Sequence, residues 1–261
     1  MFLKKIISRA KLEWQYYTKR PWSLEEVGKF WDTVEDYDKI NDKLYTYKER
    51  FNVSKKKFFE NVNIKNFYPK KILDIQTRSG NGSLFWNDIY PNAHFTCVDF
   101  SEGLLNNAKN KISKINYKKF ILLKNLDDIP LKNEEYDLVL CYETLEHVYE
   151  YEKFIKFLTK LMNKNSYLIL TTPNVIWEVV HWITAIVGYN HSEGPHRFIS
   201  KKKIDKVLAD NKLITISYTS SIFFPFNNKI SICLDKIITK LLPNFIKEKL
   251  FLRHIYILKK N

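Results

Sequence analysis

The sequence predicts an α/β fold built on a doubly wound, largely parallel sheet, and three observations carry that expectation. Lys71 to Phe100, KILDIQTRSGNGSLFWNDIYPNAHFTCVDF, runs as apolar strand, glycine-bearing loop, helix, second apolar strand and terminal acid. Downstream, short apolar runs alternate with helical patterns as far as Leu258, the rhythm of a sheet covered by helices. With 261 residues, 45% of them apolar, the chain can bury the core of one such domain and still carry appendages.

Ahead of Lys71, amphipathic segments near Phe2 to Tyr17 and near Asp42 to Phe59 predict a helical cap over residues 1–66. Residues 67–261 then form the sheet domain. Its seven strands are expected up to Ile75 and at Phe95 to Val98, Phe120 to Leu123, Tyr136 to Tyr142, Tyr167 to Thr171, Leu213 to Tyr218 and Phe251 to Leu258. Helices are expected at Ser83 to Tyr90, Ser101 to Ile112, Tyr151 to Met162 and Lys201 to Ala209. Ser101 suits an N-cap, so local hydrogen bonding helps fix the turn that follows Asp99.

Helical insertions at 175–199 and 222–249 interrupt this rhythm. Val175 to Val187 places Val175, Ile176, Val179, Val180, Ile183, Ile186 and Val187 on one helical face, which suits either a lid over substrate or an extra core helix. Between Ile222 and Lys249, Ile230, Leu234, Ile237, Ile238, Leu241 and Leu242 share a face that lysines surround. Such a cationic amphipathic stretch either lies on anionic lipid or packs on the domain with its lysines in water.

The formal net charge of +14 admits a polyanionic partner. Its clusters at Lys55 to Lys57, Lys118 to Lys119 and Lys201 to Lys203 are separated by acidic runs, however, as in a generally basic composition. Cys97, Cys141 and Cys233 lie far apart without paired spacing, which points to a reducing compartment. No uninterrupted apolar run has signal-peptide length or reaches the about eighteen residues of a membrane span. The expected location is cytoplasmic, or peripheral at the inner membrane face through 222–249.

The loop after Ile75 separates the nucleoside cofactors that use this unit. A dinucleotide loop wants a small residue three positions past Gly82, where Phe85 stands. A phosphate-cradling loop needs Gly-Lys-Ser/Thr, and no glycine here is followed by that pair. What remains is S-adenosylmethionine, whose zwitterionic methionine end asks for backbone groups rather than a phosphate nest. Ile72 to Ile75 through Gly80-Asn81-Gly82 resembles the first motif of class I S-adenosylmethionine-dependent methyltransferases of the small-molecule and lipid-precursor type. Val98 to Ser101, NLDDIP at Asn125 to Pro130, YDLVLCYETLEH at Tyr136 to His147 and LILTTPN at Leu168 to Asn174 resemble later motifs in the family's order.

That resemblance implies a Rossmann-like fold and S-adenosylmethionine as cofactor. Asp74, Ile75, Gln76, Arg78 and Gly80 are then the loop residues at the methionine end, Asp99 takes the ribose, Phe100 covers an adenine face, and Asn125 with Leu126 meets the adenine edge. Tyr142 either borders cofactor and acceptor or is an exposed strand-end aromatic. Arg50 is a further candidate for the methionine end, or else a surface ion-pair partner of Glu49 or Glu60. The loop departs from the family at Gln76 and Arg78, where glycines belong. These side chains either meet the methionine carboxylate, with Arg78 pairing bidentately, or fill the pocket, or turn to solvent on a differently bent loop.

Methyl transfer from a sulfonium needs position more than acid or base, but a hydroxyl acceptor gains from a base. His147 follows the fourth strand at the ligand edge and is a base candidate, or alternatively orders its turn; His196 is a candidate for substrate contact. The set His191, Glu193 and His196 lacks zinc-site spacing, so no metal is expected. The function expected is methyl transfer to a small-molecule or lipid-linked acceptor, most readily at oxygen. Its rivals are a non-catalytic binding or scaffold protein with a degenerate loop and an RNA methyltransferase. The latter is disfavoured because strand four ends in CYET and no RNA module is appended, so nucleic acid is not an expected partner.

Overall fold

The computed structural model describes residues 2–34, 37–127 and 134–261. Among the described residues, four α-helices precede the sheet: α1 (Phe2–Thr18), α2 (Leu24–Asp32), α3 (Tyr37–Asn41) and α4 (Tyr45–Asn61). Helices α2 and α3 are additional to the two cap helices expected. Helix α2 starts at a capping box, in which the Ser23 hydroxyl accepts from the Glu26 N–H and the Glu26 carboxylate accepts from the Ser23 N–H. Its buried residues Leu24, Val27, Gly28 and Trp31 recur at helical spacing and form the face that packs inward.

All seven expected strands are present: β1 (Lys71–Ile75), β2 (His94–Asp99), β3 (Lys118–Leu122), β4 (Tyr136–Tyr142), β5 (Met162–Pro173), β6 (Leu213–Ser221) and β7 (Arg253–Lys260). They form one sheet in the order β3-β2-β1-β4-β5-β7-β6. Strands β1 to β5 pair in parallel, and β7 runs antiparallel to both β5 and β6. The middle of the sheet is buried almost residue by residue, as apolar strands covered on both faces must be. Strand β7 starts two residues later than expected, because the Phe251 N–H closes the preceding helix on the Lys247 carbonyl.

The remaining helices are α5 (Asn81–Asn87), α6 (Glu102–Lys111), α7 (Tyr151–Lys160), α8 (Glu178–Val187), α9 (Lys201–Asp210), α10 (Lys229–Leu241) and α11 (Asn244–Leu250). Helix α8 lies in the first insertion, and α10 and α11 in the second. The apolar residues Ile176, Val179, Val180, Ile183 and Val187 remain exposed, so this segment is not the extra core helix that its pattern allowed. Strand order reverses between β1 and β4, which opens a crevice at their carboxyl ends. The loops following β1, β2 and β4 converge there.

Candidate functional site

The loop after β1 keeps a left-handed backbone at Gln76 (φ 52°), Arg78 (φ 56°) and Gly80 (φ 83°). Glycine suits the last of these for a second reason: a Cβ at Gly80 would lie 2.7 Å from Ile112 Cγ2. Buried Asp74 ties the loop to its start and end by accepting from Thr77 Oγ1 at 2.7 Å and Ser83 Oγ at 2.7 Å. Gln76 and Arg78 are both buried, so neither side chain turns to solvent. Arg78 donates through Nη1 to Tyr37 Oη at 2.8 Å and through Nη2 to the Glu143 carbonyl at 2.7 Å. Its guanidinium lies 5.4 Å from the Trp31 ring centroid.

Asp99 ends β2 with no exposed surface. Its Oδ2 accepts from the Arg78 N–H at 2.6 Å and its Oδ1 from the Ser101 N–H at 2.9 Å. Burial pushes its carboxyl up to about 6, against the pull of those backbone donors. Helix α2 closes over this end of the sheet. A Cβ at Gly28 would stand 1.9 Å from the Phe100 carbonyl oxygen, so only glycine permits that approach. Asp32 secures the helix by accepting from Ser101 Oγ at 2.6 Å and the Gly103 N–H at 2.9 Å.

Beyond Arg78 the turn after β4 carries two acids of different character. Glu143 accepts from Arg50 Nη1 at 2.7 Å and Arg253 Nε at 2.6 Å. Burial alone would raise its pKa, but the guanidiniums of Arg253, Arg50 and Arg78 outweigh it and hold the carboxyl at about 2. Glu146 is also buried and accepts from Thr172 Oγ1 at 3.3 Å. Burial, reinforced by the Glu143 charge, pushes it up to about 8. Neighbouring Glu193 places its carboxylate 3.7 Å from His181 Nε2 and 3.8 Å from His147 Nε2.

A cavity of about 750 Å³ adjoins this turn; Arg78, Glu143, Glu146, His147, His181, Glu193, His196 and Arg253 are among its lining residues. Trp177, Val180, Tyr189 and Phe226 supply apolar wall. The sequence candidates therefore divide. Arg78, His147 and His196 reach the cavity, whereas Asp74, Ile75, Asp99 and Phe100 are buried in the loop and sheet rim around Gly80. His147 is almost fully buried, with Nδ1 3.4 Å from the Pro195 carbonyl, and burial lowers it to about 3 despite Glu193. His196 Nδ1 sits 2.8 Å from the Gly194 carbonyl.

Tyr142 is buried rather than exposed; its hydroxyl pairs with Ser54 Oγ at 2.9 Å and accepts from Trp86 Nε1 at 2.8 Å. Arg50 is equally buried and pairs with Glu143 rather than a surface acid. Asn125 is exposed, its Oδ1 accepting from the Asp127 N–H, and Leu126 is partly buried; residues 128–130 of that loop lie outside the described residues. Among the described residues no cluster has metal-holding geometry. Sequence reasoning passed over Trp31, Glu143, Glu146, His181 and Arg253, and weighed Glu193 only as a metal ligand. The Ser23 to Glu26 capping box signals the helix that carries Trp31, and the two acids of ETLEH stand at the edge where open sheets bind ligands. Arg253 follows the second insertion with no local signal.

A family model described as a methyltransferase domain matches residues 69–212. A ubiquinone biosynthesis O-methyltransferase of Bradyrhizobium diazoefficiens is 28% identical over 110 residues, covering 39% of this chain, and the chain spans 43% of that relative. Among solved structures, the plantazolicin methyltransferase BpumL in complex with SAH superposes with a TM-score of 0.59 at 16% identity, covering 100% of both chains. The [4+2]-cyclase SpnF gives 0.63 at 10% identity, covering 91% of this chain and 96% of its own. These structural likenesses concern the fold. The family model takes in over half of the chain, from β1 and its loop through the turn of Glu143 and Glu146 to α9, and the chain belongs to that methyltransferase domain family, of the class I S-adenosylmethionine-dependent type.

Proposed function

We propose that this protein transfers a methyl group from S-adenosylmethionine to an oxygen of a small-molecule or lipid-linked acceptor held in the 750 Å³ cavity. One observation carries the reading: the cavity has the donor-loop residue Arg78 in its wall and, in the same wall, the carboxyl of Glu146 with a pKa near the working range of a base.

The residues present fit the donor in kind. Asp99 stands at the strand end as a ribose-binding acid does in open α/β sheets. Both atoms of the Gln76 amide, Arg78 Nε, Arg50 Nε and Trp31 Nε1 are buried without hydrogen-bond partners. Each such group costs about 1–3 kcal/mol while unpaired, and a carboxylate with an ammonium group can satisfy several together. Arg50 and Arg78 supply the cationic partners for that carboxylate. When bound, S-adenosylmethionine supplies a methyl group on a sulfonium, whose leaving sulfur needs no protonation.

The chain's own work is then to hold and to deprotonate. Helix α2 and Trp31 exclude water from the rim, and because Asp99 is fully covered, admission of a nucleoside requires α2 to part from Phe100. Arg50 and Arg253 keep Glu143 ionised and fixed. Glu146 accepts the acceptor hydroxyl proton on its carboxylate, a task for which its raised pKa suits it better than the lowered one of His147.

Calorimetric titration with S-adenosylmethionine tests the donor, and labelled methyl transfer to phenols, catechols, aliphatic carboxylic acids and amines tests the acceptor atom. Label confined to nitrogen acceptors would remove oxygen as the site. A second reading, a non-catalytic scaffold, draws on the burial of Asp99 and Arg78, which already hydrogen-bond each other beneath α2. Absence of binding heat at millimolar donor would favour it.

A further inference from the structure

Three helices around the cavity each leave an apolar stripe uncovered. On α1, Leu3, Ile7 and Trp14 are exposed at spacings that keep them on one face. Leading into and along α8, Ile176, Val180, Ile183 and Val187 recur at intervals of four, three and four residues, all exposed. On α10, Ile230, Leu234, Ile237 and Leu241 repeat the same intervals, with Ile230 74% and Leu241 75% exposed. Three coincident stripes exceed the scattered apolar residues of an ordinary surface. The helices that carry them border one cavity, which Arg9 of α1, Val180 of α8 and Phe226 just ahead of α10 all line.

The charges on these helices identify the occupant. The only acid of α1, Glu13, is buried, and so is the only acid of α10, Asp235, which accepts from the Phe223 and Phe224 N–H groups. The only acid of α8, Glu178, accepts from the Phe198 N–H. The basic residues of α1 and α10, among them Lys4, Lys5, Lys11, Lys229, Lys236 and Lys240, are exposed. The exposed charges of α1 and α10 are therefore all positive, and α8 adds an apolar stripe without lysine or arginine. A second copy of the same face would repel it, whereas the headgroup and acyl boundary of an anionic bilayer matches both properties. No described helix is long and apolar enough to cross a membrane, so the contact is with its surface.

We propose that α1, α8 and α10 dock the protein on an anionic phospholipid surface, with the cavity mouth turned toward the lipid. A long-chain acceptor can then reach the cavity past Val180 and Phe226 without leaving the bilayer. Docking does not depend on the chemistry inside, so vesicle binding and donor binding can fail separately.

The test is co-sedimentation of the full chain with phosphatidylcholine vesicles, with and without a phosphatidylglycerol fraction. Binding to the anionic vesicles should be on the order of tenfold tighter and should fall as salt rises. The pair Ile230→Ser and Leu241→Ser, at exposed positions outside the cavity, should leave the circular dichroism spectrum unchanged and weaken vesicle binding on the order of tenfold. Lys236→Glu with Lys240→Glu should abolish the preference for anionic lipid. The proposal is overturned if the folded chain ignores anionic vesicles or if the serine pair binds them as tightly as the parent. It is equally overturned if sedimentation finds a dimer that the serine pair dissociates, since the stripes then serve a second copy.

Discussion

Glu143 and Glu146 share one turn after β4, yet their surroundings drive their acidities in opposite directions, to about 2 and about 8. Glu143 is held by three guanidiniums, whereas Glu146 has a threonine hydroxyl and the repulsion of Glu143. Carboxyl pairs separated in this way are suited to different tasks, one as a fixed charge and the other as a proton carrier.

Glu146 should therefore govern the pH profile. The neutral carboxyl cannot accept a proton, so kcat should rise with pH and level off above about 8. Glu146→Gln should lower kcat on the order of 10²-fold and remove that inflection, with donor affinity by calorimetry unchanged. An inflection that survives the substitution would mean that a group other than Glu146 is the base. The same variant should gain stability over the parent between pH 4.5 and 8. There the folded parent retains a proton that its unfolded chain has released, so its own stability falls as pH rises.

Glu143 has the reverse dependence. Its folded pKa lies below the ordinary 4.5, so the stabilisation it gives is complete above that value and is lost as pH falls toward about 2. Glu143→Gln leaves Arg50 and Arg253 buried without their counter-ion and should cost about 3–5 kcal/mol near neutrality. Urea unfolding of parent and variant across that acid range should find the gap closing toward low pH. A constant gap would mean that shape rather than charge holds the cluster together.

The fold was legible because its signals are local. Strand β1, its loop and Asp99 lie within thirty consecutive residues, where apolar runs, glycines and a terminal acid announce themselves. Helix α2 was missed although its capping box is present in SLEE and Leu24, Val27 and Trp31 recur at helical spacing, since it runs for only nine residues. The carboxylate cluster was not legible: Arg50, Glu143 and Arg253 come from a cap helix, a sheet turn and the last strand, and only the tertiary fold brings them to one point. The loop departure at Gln76 and Arg78 was visible, but its consequence depended on burial, which no spacing encodes.

Arg78→Gly restores a family glycine and distinguishes the two uses of this side chain. Relief of the left-handed backbone should recover about 1 kcal/mol, offset by loss of the bonds to Tyr37 and the Glu143 carbonyl. If Arg78 holds the donor's carboxylate, affinity by calorimetry should fall about 10- to 100-fold, the loss of a hydrogen bond to a charged group. A gain in affinity would instead identify the guanidinium as a plug and favour the scaffold reading.

The cap contact at Gly28 offers a test of how the donor crevice opens. With only 1.9 Å between an added Cβ and the Phe100 carbonyl oxygen, Gly28→Ala cannot keep α2 in place, and overpacking of this kind costs about 1–3 kcal/mol. The cost should fall on α2 alone, because Asp32 anchors its far end on Ser101 and Gly103 while the strands beneath are held by their own ladder. Amide exchange should accordingly quicken in Leu24 to Asp32 and leave β1 and β2 protected. Since covered Asp99 becomes reachable only when that helix lifts, the variant should also bind S-adenosylmethionine with a faster association rate in stopped flow. An unchanged association rate alongside faster exchange would mean that the nucleoside reaches Asp99 by a route other than beneath α2.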